Sequence, residues 1–244
     1  MTAIVGVLCR DGAVIGTDSS ALFTAGQLRT IEQPTDKLFI VAEHVIVAGT
    51  GQVGMGQRFG EILRRAWDNH TFRGNPIEVG KQLCIAAMKD FGETSCRIGQ
   101  FGALVAFPSD NQPALVEFPD TDFQPELKTD RIWYCSMGSA QLITDPFLAL
   151  MREVFWNGGQ PPVQEGVFAA TWTLDHAIRV NPGGVNGPAR IAVLERAEKG
   201  RFKARLLDDA ELAQHRQNVD EAKQHLREFR RKHEPSAGPN VPTP

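Results

Sequence analysis

The chain has no apolar run approaching the roughly 20 residues that a membrane-spanning helix needs, so no membrane partner is expected. It also lacks a basic segment followed by an apolar one near its start, and the expectation is an unexported, cytoplasmic protein. Cysteine is scarce: Cys9, Cys84, Cys96 and Cys135 form no Cys-x-x-Cys pair, which argues against a zinc site or a disulfide framework and for reduced thiols. A net charge of −3 offers no concentrated basic face, so nucleic acid is not an expected partner. The glycines at 49, 51, 54 and 56 lack the Gly-Lys-Ser/Thr ending of a phosphate loop. Asp120, Asp122 and Glu126 lack the Gly and terminal Glu of a calcium loop and read as a solvated acidic stretch. No metal and no cofactor are expected.

What is present is the composition of an ordinary globular chain. With 244 residues, 42% of them hydrophobic and 23% charged, there is material for a substantial core. Two apolar β-branched runs, residues 3–9 and 13–17, flank Arg10-Asp11-Gly12, and Asp-Gly between such runs signals a hairpin. The hairpin brings Thr2 and Asp18 to one end. If Met1 is removed, Thr2 carries a hydroxyl nucleophile and a free α-amine whose reference pKa lies near 8, so one residue holds both nucleophile and base.

Thr2-Ala3-Ile4-Val5, Asp11-Gly12 and Asp18-Ser19 resemble the opening of proteasome β-subunits. Three further segments follow in order: Thr35-Asp36-Lys37-Leu38, Val47-Ala48-Gly49 and Met137-Gly138-Ser139-Ala140, with Ala140 departing from the family's Gly-Ser-Gly at its last position. The resemblance covers roughly residues 2 to 195, and the Lys37 to Gly49 spacing is similar to the bacterial HslV-type peptidase.

The resemblance implies an N-terminal nucleophile hydrolase: an α+β fold in four layers, α-β-β-α, carrying a threonine-type peptidase. Thr2 attacks a peptide carbonyl, Lys37 held charged by Asp18 favours the alkoxide, and the Gly49 N–H receives the oxyanion. Ser139 hydrogen-bonds near the amine, while Ala21 and Val47 line the pocket before the cleaved bond. The implied partners are a peptide or unfolded-protein substrate, further copies of the chain in stacked rings, and an ATP-dependent unfoldase. One departure bears on the proton relay. Val180 follows Arg179 where the resemblance calls for Asp, although Asp175 is near in sequence. The alternative from another class is an assembly of this fold without general proteolysis, a structural shell or a hydrolase of a narrow amide substrate.

In chain order, residues 19–35 read as a polar loop, 37–41 and 44–48 as strands, and two apolar stripes around Phe59 to Trp67 and Ile77 to Phe91 as helices, the second opened by Asn75-Pro76. Strands follow at 101–107, 114–118 and 131–136, helices at 140–156 and 163–180, and a closing strand pair at 190–194 and 201–207. Three units result: a hydrolase-like domain over 1–207, a helical extension over 208–234 and a disordered Pro-rich tail over 235–244. The extension has acids at its start and bases at its end, with a narrow seam of Leu212, Val219, Leu226 and Phe229, suited to pack on the domain itself or on a neighbouring subunit.

Overall fold

The computed structural model describes residues 1–25, 28–96, 99–156, 158–181, 183–197 and 200–233. The expected Pro-rich tail lies outside them. Strands β1 (Ile4–Cys9) and β2 (Gly12–Thr17) are buried throughout, as their continuous apolar character requires. The turn between them consists of Arg10 and Asp11, and Gly12 already belongs to β2, where a Cβ would lie 2.2 Å from the Leu194 carbonyl oxygen. Asp11 serves a further purpose. Its carboxylate accepts the Val163 N–H at 2.8 Å, capping the first turn of a helix whose own preceding residue, Pro162, offers no side-chain cap.

The second hairpin, β5 (Leu38–Val41) and β6 (Val45–Gly51), turns at Ala42 and Glu43, both with positive φ. A third joins β7 (Phe101–Ser109) to β8 (Gln112–Phe118) through Asp110 and Asn111, also at positive φ. The expected loop over 108–113 is therefore mostly strand, with Pro108 paired to Pro113. Strands β5, β6, β7, β8 and β9 (Glu126–Leu127) lie side by side in that order. The other five-stranded sheet has the order β10 (Tyr134–Met137), β1, β2, β11 (Arg190–Arg196), β12 (Phe202–Leu206).

The two sheets meet face to face. Leu38, Ile46, Leu104 and Leu115 of one share an apolar core with Ile4, Val7 and Ile15 of the other. Helices α1 (Val53–Asp68) and α2 (Pro76–Glu93) cover the outer face of the β5–β9 sheet through Phe59, Leu63, Leu83 and Phe91, which join Phe101, Phe107 and Phe118. Asn75 caps α2 by accepting the Ile77 N–H at 3.0 Å. Helices α3 (Gln141–Phe155) and α4 (Val163–Val180) cover the opposite sheet. The result is the α-β-β-α sandwich that the sequence suggests, with mixed α and β content throughout.

One stretch differs from expectation. Residues 19–35 form a two-stranded ribbon, β3 (Ser20–Ala25) and β4 (Leu28–Pro34), with a register shift between Phe23 and Thr24. The ribbon pairs with neither large sheet, and Phe23, Leu28 and Ile31 are exposed. Its strands have no buried face to impose alternation, so periodicity gave no signal.

Helix α5 (Asp209–Lys232) opens with a reciprocal capping box between Asp208 and Glu211. Leu212 and Val219 are buried in the core that includes α4, but Leu226 and Phe229 remain exposed, so the seam is seated only over its first half. Leu212→Ala is expected to lower unfolding free energy by about 2–4 kcal/mol, because it empties a buried site. Chemical denaturation checks this. Leu226→Ala, at an exposed position, should leave the transition of the isolated chain within about 0.5 kcal/mol.

Candidate active site

Strand register assembles the site. Ile4 lies opposite both Met137 and Thr17, so the start of β1, the end of β2 and the end of β10 converge. Asp18 follows β2 directly, and Thr2 and Ser139 lie two residues beyond the ends of β1 and β10. Lys37 arrives from the other sheet, immediately before β5, and Gly49 sits on β6 beside it. The sequence-derived set Thr2, Asp18, Lys37, Ser139 and Gly49 is therefore brought to one place.

Each group has a defined partner. Asp18 is fully buried and accepts hydrogen bonds from Lys37 Nζ at 2.8 and 2.9 Å, from the Ala3 N–H at 2.8 Å and from the Ser20 N–H at 3.3 Å. These donors satisfy the hydrogen-bonding capacity of a carboxylate that water does not reach. The Lys37 side chain is largely covered, 8% exposed. Desolvation pushes its pKa below the usual lysine range, and the Asp18 charge and hydrogen bond, with a smaller contribution from Glu32, oppose that push. Its ammonium also donates to the Met1 carbonyl oxygen at 2.8 Å, one bond from Thr2.

Thr2 is anchored through its backbone. Its N–H donates to Ser139 Oγ at 3.0 Å, and its carbonyl accepts the Ala140 N–H at 3.2 Å. Gly138 makes this approach possible: it has a φ of +89°, and a Cβ there would stand 2.4 Å from the Thr2 carbonyl oxygen. Ala140 has an ordinary negative φ at the start of α3, so the departure from Gly at this position is without backbone cost.

Gly49 presents a complication. Its N–H donates to the Lys37 carbonyl at 3.1 Å, so an oxyanion must share or displace that bond. The two pocket residues divide. Ala21 lines the cavity beside Thr2, whereas Val47 does not: it is buried under α1 and α2 in the outer core, opposite Phe39. Phe39 and Phe101 line the cavity in its stead, and Phe39 fits because Gly60 has no Cβ, which would stand 2.9 Å from the ring.

The cavity has a volume of about 950 Å³. Thr2, Lys37, Gly49 and Ser139 lie along it, with Leu22 and Phe23 contributed by the ribbon. Asp175 does not join them: Arg216 of α5 approaches it to 3.9 Å, and burial raises its pKa. Val180 is exposed. Residues missed by sequence reasoning are Phe39, Phe101 and the ribbon residues Ser20, Leu22 and Glu32. Only the apolar strand pattern hinted at the two phenylalanines, and nothing marked the ribbon.

The N-terminal half, residues 2–120, matches the family model described as proteasome subunit. The chain is also similar to a proteasome subunit beta 1 of Thermococcus gammatolerans, with 43% identity over 87 residues that cover 36% of this chain. The aligned stretch spans 39% of that relative's length. The family match includes Thr2, Asp18, Lys37 and Gly49, whereas Ser139 lies beyond residue 120.

Proposed function

We propose, from the match of residues 2–120 to the proteasome subunit family and the similarity to a proteasome subunit beta, that the chain is a threonine-type peptidase subunit whose nucleophile is the Thr2 hydroxyl once the peptide bond before Thr2 has been cut. The observation that carries this is the buried Asp18–Lys37 pair, 2.8 Å apart, set beside Thr2 in an open cavity. Thr2 Oγ attacks the substrate carbonyl, and its proton passes to the freed α-amine directly or through water. The Lys37 ammonium favours the developing alkoxide. The oxyanion takes the Gly49 N–H, whose present acceptor is the Lys37 carbonyl. Collapse expels the leaving amine with the proton from the α-amine, leaving an ester on Thr2 that water hydrolyses. Ser139 Oγ, already 3.0 Å from the Thr2 nitrogen, orients the amine during both transfers.

The working particle in this proposal is a ring-shaped homo-oligomer in the cytoplasm, of the bacterial HslV-like kind, with an unfoldase feeding it protein substrate. Exposed apolar residues on α3 and α5, among them Leu142, Leu150, Val154 and Phe229, support association between copies. The alternative is an assembly of this fold that cuts no general protein substrate, a structural shell or a hydrolase of a narrow amide. Intact mass of the assembled particle separates the two. Loss of Met1 is expected, and a particle that retains it in full contradicts the peptidase proposal.

A further inference from the structure

One carboxylate beside the site has no task in that mechanism. Glu32, on β4, accepts hydrogen bonds from Ser20 Oγ and from the Asn186 side-chain amide. Ser20 is buried, and its backbone N–H donates to Asp18 Oδ2 at 3.3 Å, while Asp18 holds Lys37. Asn186 completes a clasp: its carbonyl accepts the Ser19 N–H at 3.1 Å, and Ser19 Oγ donates to the Pro188 carbonyl at 2.7 Å. Three segments are thereby tied together, namely the ribbon, the junction after β2 and the loop between α4 and β11.

The electrostatic need for such a group follows from the burial of Lys37. Among the described residues one carboxylate, Asp18, touches this ammonium, and desolvation works against its charge. The hydrogen bonds from Ser20 and Asn186 push the Glu32 pKa down, so it stays ionised, and the charged groups whose fields reach it are the chain's α-amine and Lys37. Asp18 stands on the far side of Ser20, and Asp36 is paired with Arg190 at 3.6 Å.

We propose that Glu32 is a positioning residue of the threonine site: clasped by Ser20 and Asn186, it supplies the second negative charge that keeps Lys37 cationic and holds the cavity-lining ribbon against the α4–β11 loop. The proposal rests on the peptidase reading of Thr2.

The test uses the full chain and the substitution Glu32→Gln, which keeps an oxygen for Ser20 and Asn186 and removes the charge. Lysine titration is followed by NMR with 13C at Cε, the Lys37 signal being identified by its loss in Lys37→Arg. Lys37 is expected to lose its proton at lower pH in Glu32→Gln than in wild type, and the alkaline limb of kcat/KM to move the same way. At neutral pH kcat should fall about threefold with KM unchanged, and Glu32→Asp should restore part of both. Because Glu32 is solvent-exposed, added salt should bring wild type toward the variant. An identical Lys37 titration in wild type and Glu32→Gln overturns the proposal. Should Glu32→Gln fail to fold, Ser20→Ala releases the clasp with the charge retained; a downward Lys37 shift supports the proposal and an unmoved Lys37 overturns it. The titration needs no turnover, so an inactive wild type counts against the Thr2 reading, whereas an unmoved Lys37 counts against Glu32.

Discussion

Thr2→Ala is expected to abolish peptide turnover, to below about one thousandth of wild type, with the fold intact. The separation of these effects follows from how Thr2 is held. Its anchors are the backbone N–H to Ser139 and the carbonyl from Ala140, and neither involves the side chain. Alanine therefore keeps the chain in register at the head of β1 and removes only the hydroxyl. Circular dichroism and sedimentation should match wild type while a fluorogenic peptide is no longer cleaved. Retention of a substantial fraction of turnover would show that another group does the chemistry.

Lys37→Ala should lower kcat by at least about 100-fold, a loss comparable to that of an oxyanion donor. Removal of the ammonium also leaves Asp18 buried with its two backbone donors and no counter-charge, so a loss of stability accompanies the loss of rate. Sequence reasoning alone suggests that Asp18→Asn is milder, since Lys37 would stay cationic. The structure argues otherwise. Desolvation already pulls the Lys37 pKa down, and Asp18 is the principal opposing influence, so the neutral Asn should lower it further and let the lysine lose its proton at lower pH than in wild type. Asp18→Asn is thus expected to approach Lys37→Ala in rate and to recover partly as pH is lowered. The sign is that of a lysine with a depressed pKa: charge, and with it activity, is present below that pKa and lost as pH rises through it. A flat profile for Asp18→Asn between mildly acidic and neutral pH would contradict the role given to this pair.

How much of this was legible in the sequence depended on burial. Strands β1, β2, β6 and β7 and helices α1 to α4 carry apolar patterns because each packs against the core, and the patterns located them within a few residues. The ends of β1 and β2 carry Thr2 and Asp18, so the hairpin argument alone brought two of the site residues together. The ribbon at β3 and β4 was invisible for the converse reason: its ladder is made by backbone groups, and its side chains answer to no interior. Glu32 and Leu22 were hidden with it. Val47, assigned to the pocket by the resemblance, instead packs under α1 and α2, because a resemblance gives a strand position and not what covers it. The face is right, yet the Phe39 ring lines the cavity there. Leu226 and Phe229 continue the heptad-like spacing beyond the point where α4 offers a surface, and stay exposed in the single chain.

The most direct measurement is reaction of the purified particle with a peptide epoxyketone followed by mass mapping of the adduct. The reagent forms its ring only with a hydroxyl and an α-amine on the same residue, so it reports the two groups together. The account predicts one adduct per reactive chain, on a peptide that begins at Thr2, and none in Thr2→Ala. No adduct on a particle whose chains begin at Thr2, or equal labelling of wild type and Thr2→Ala, would contradict it.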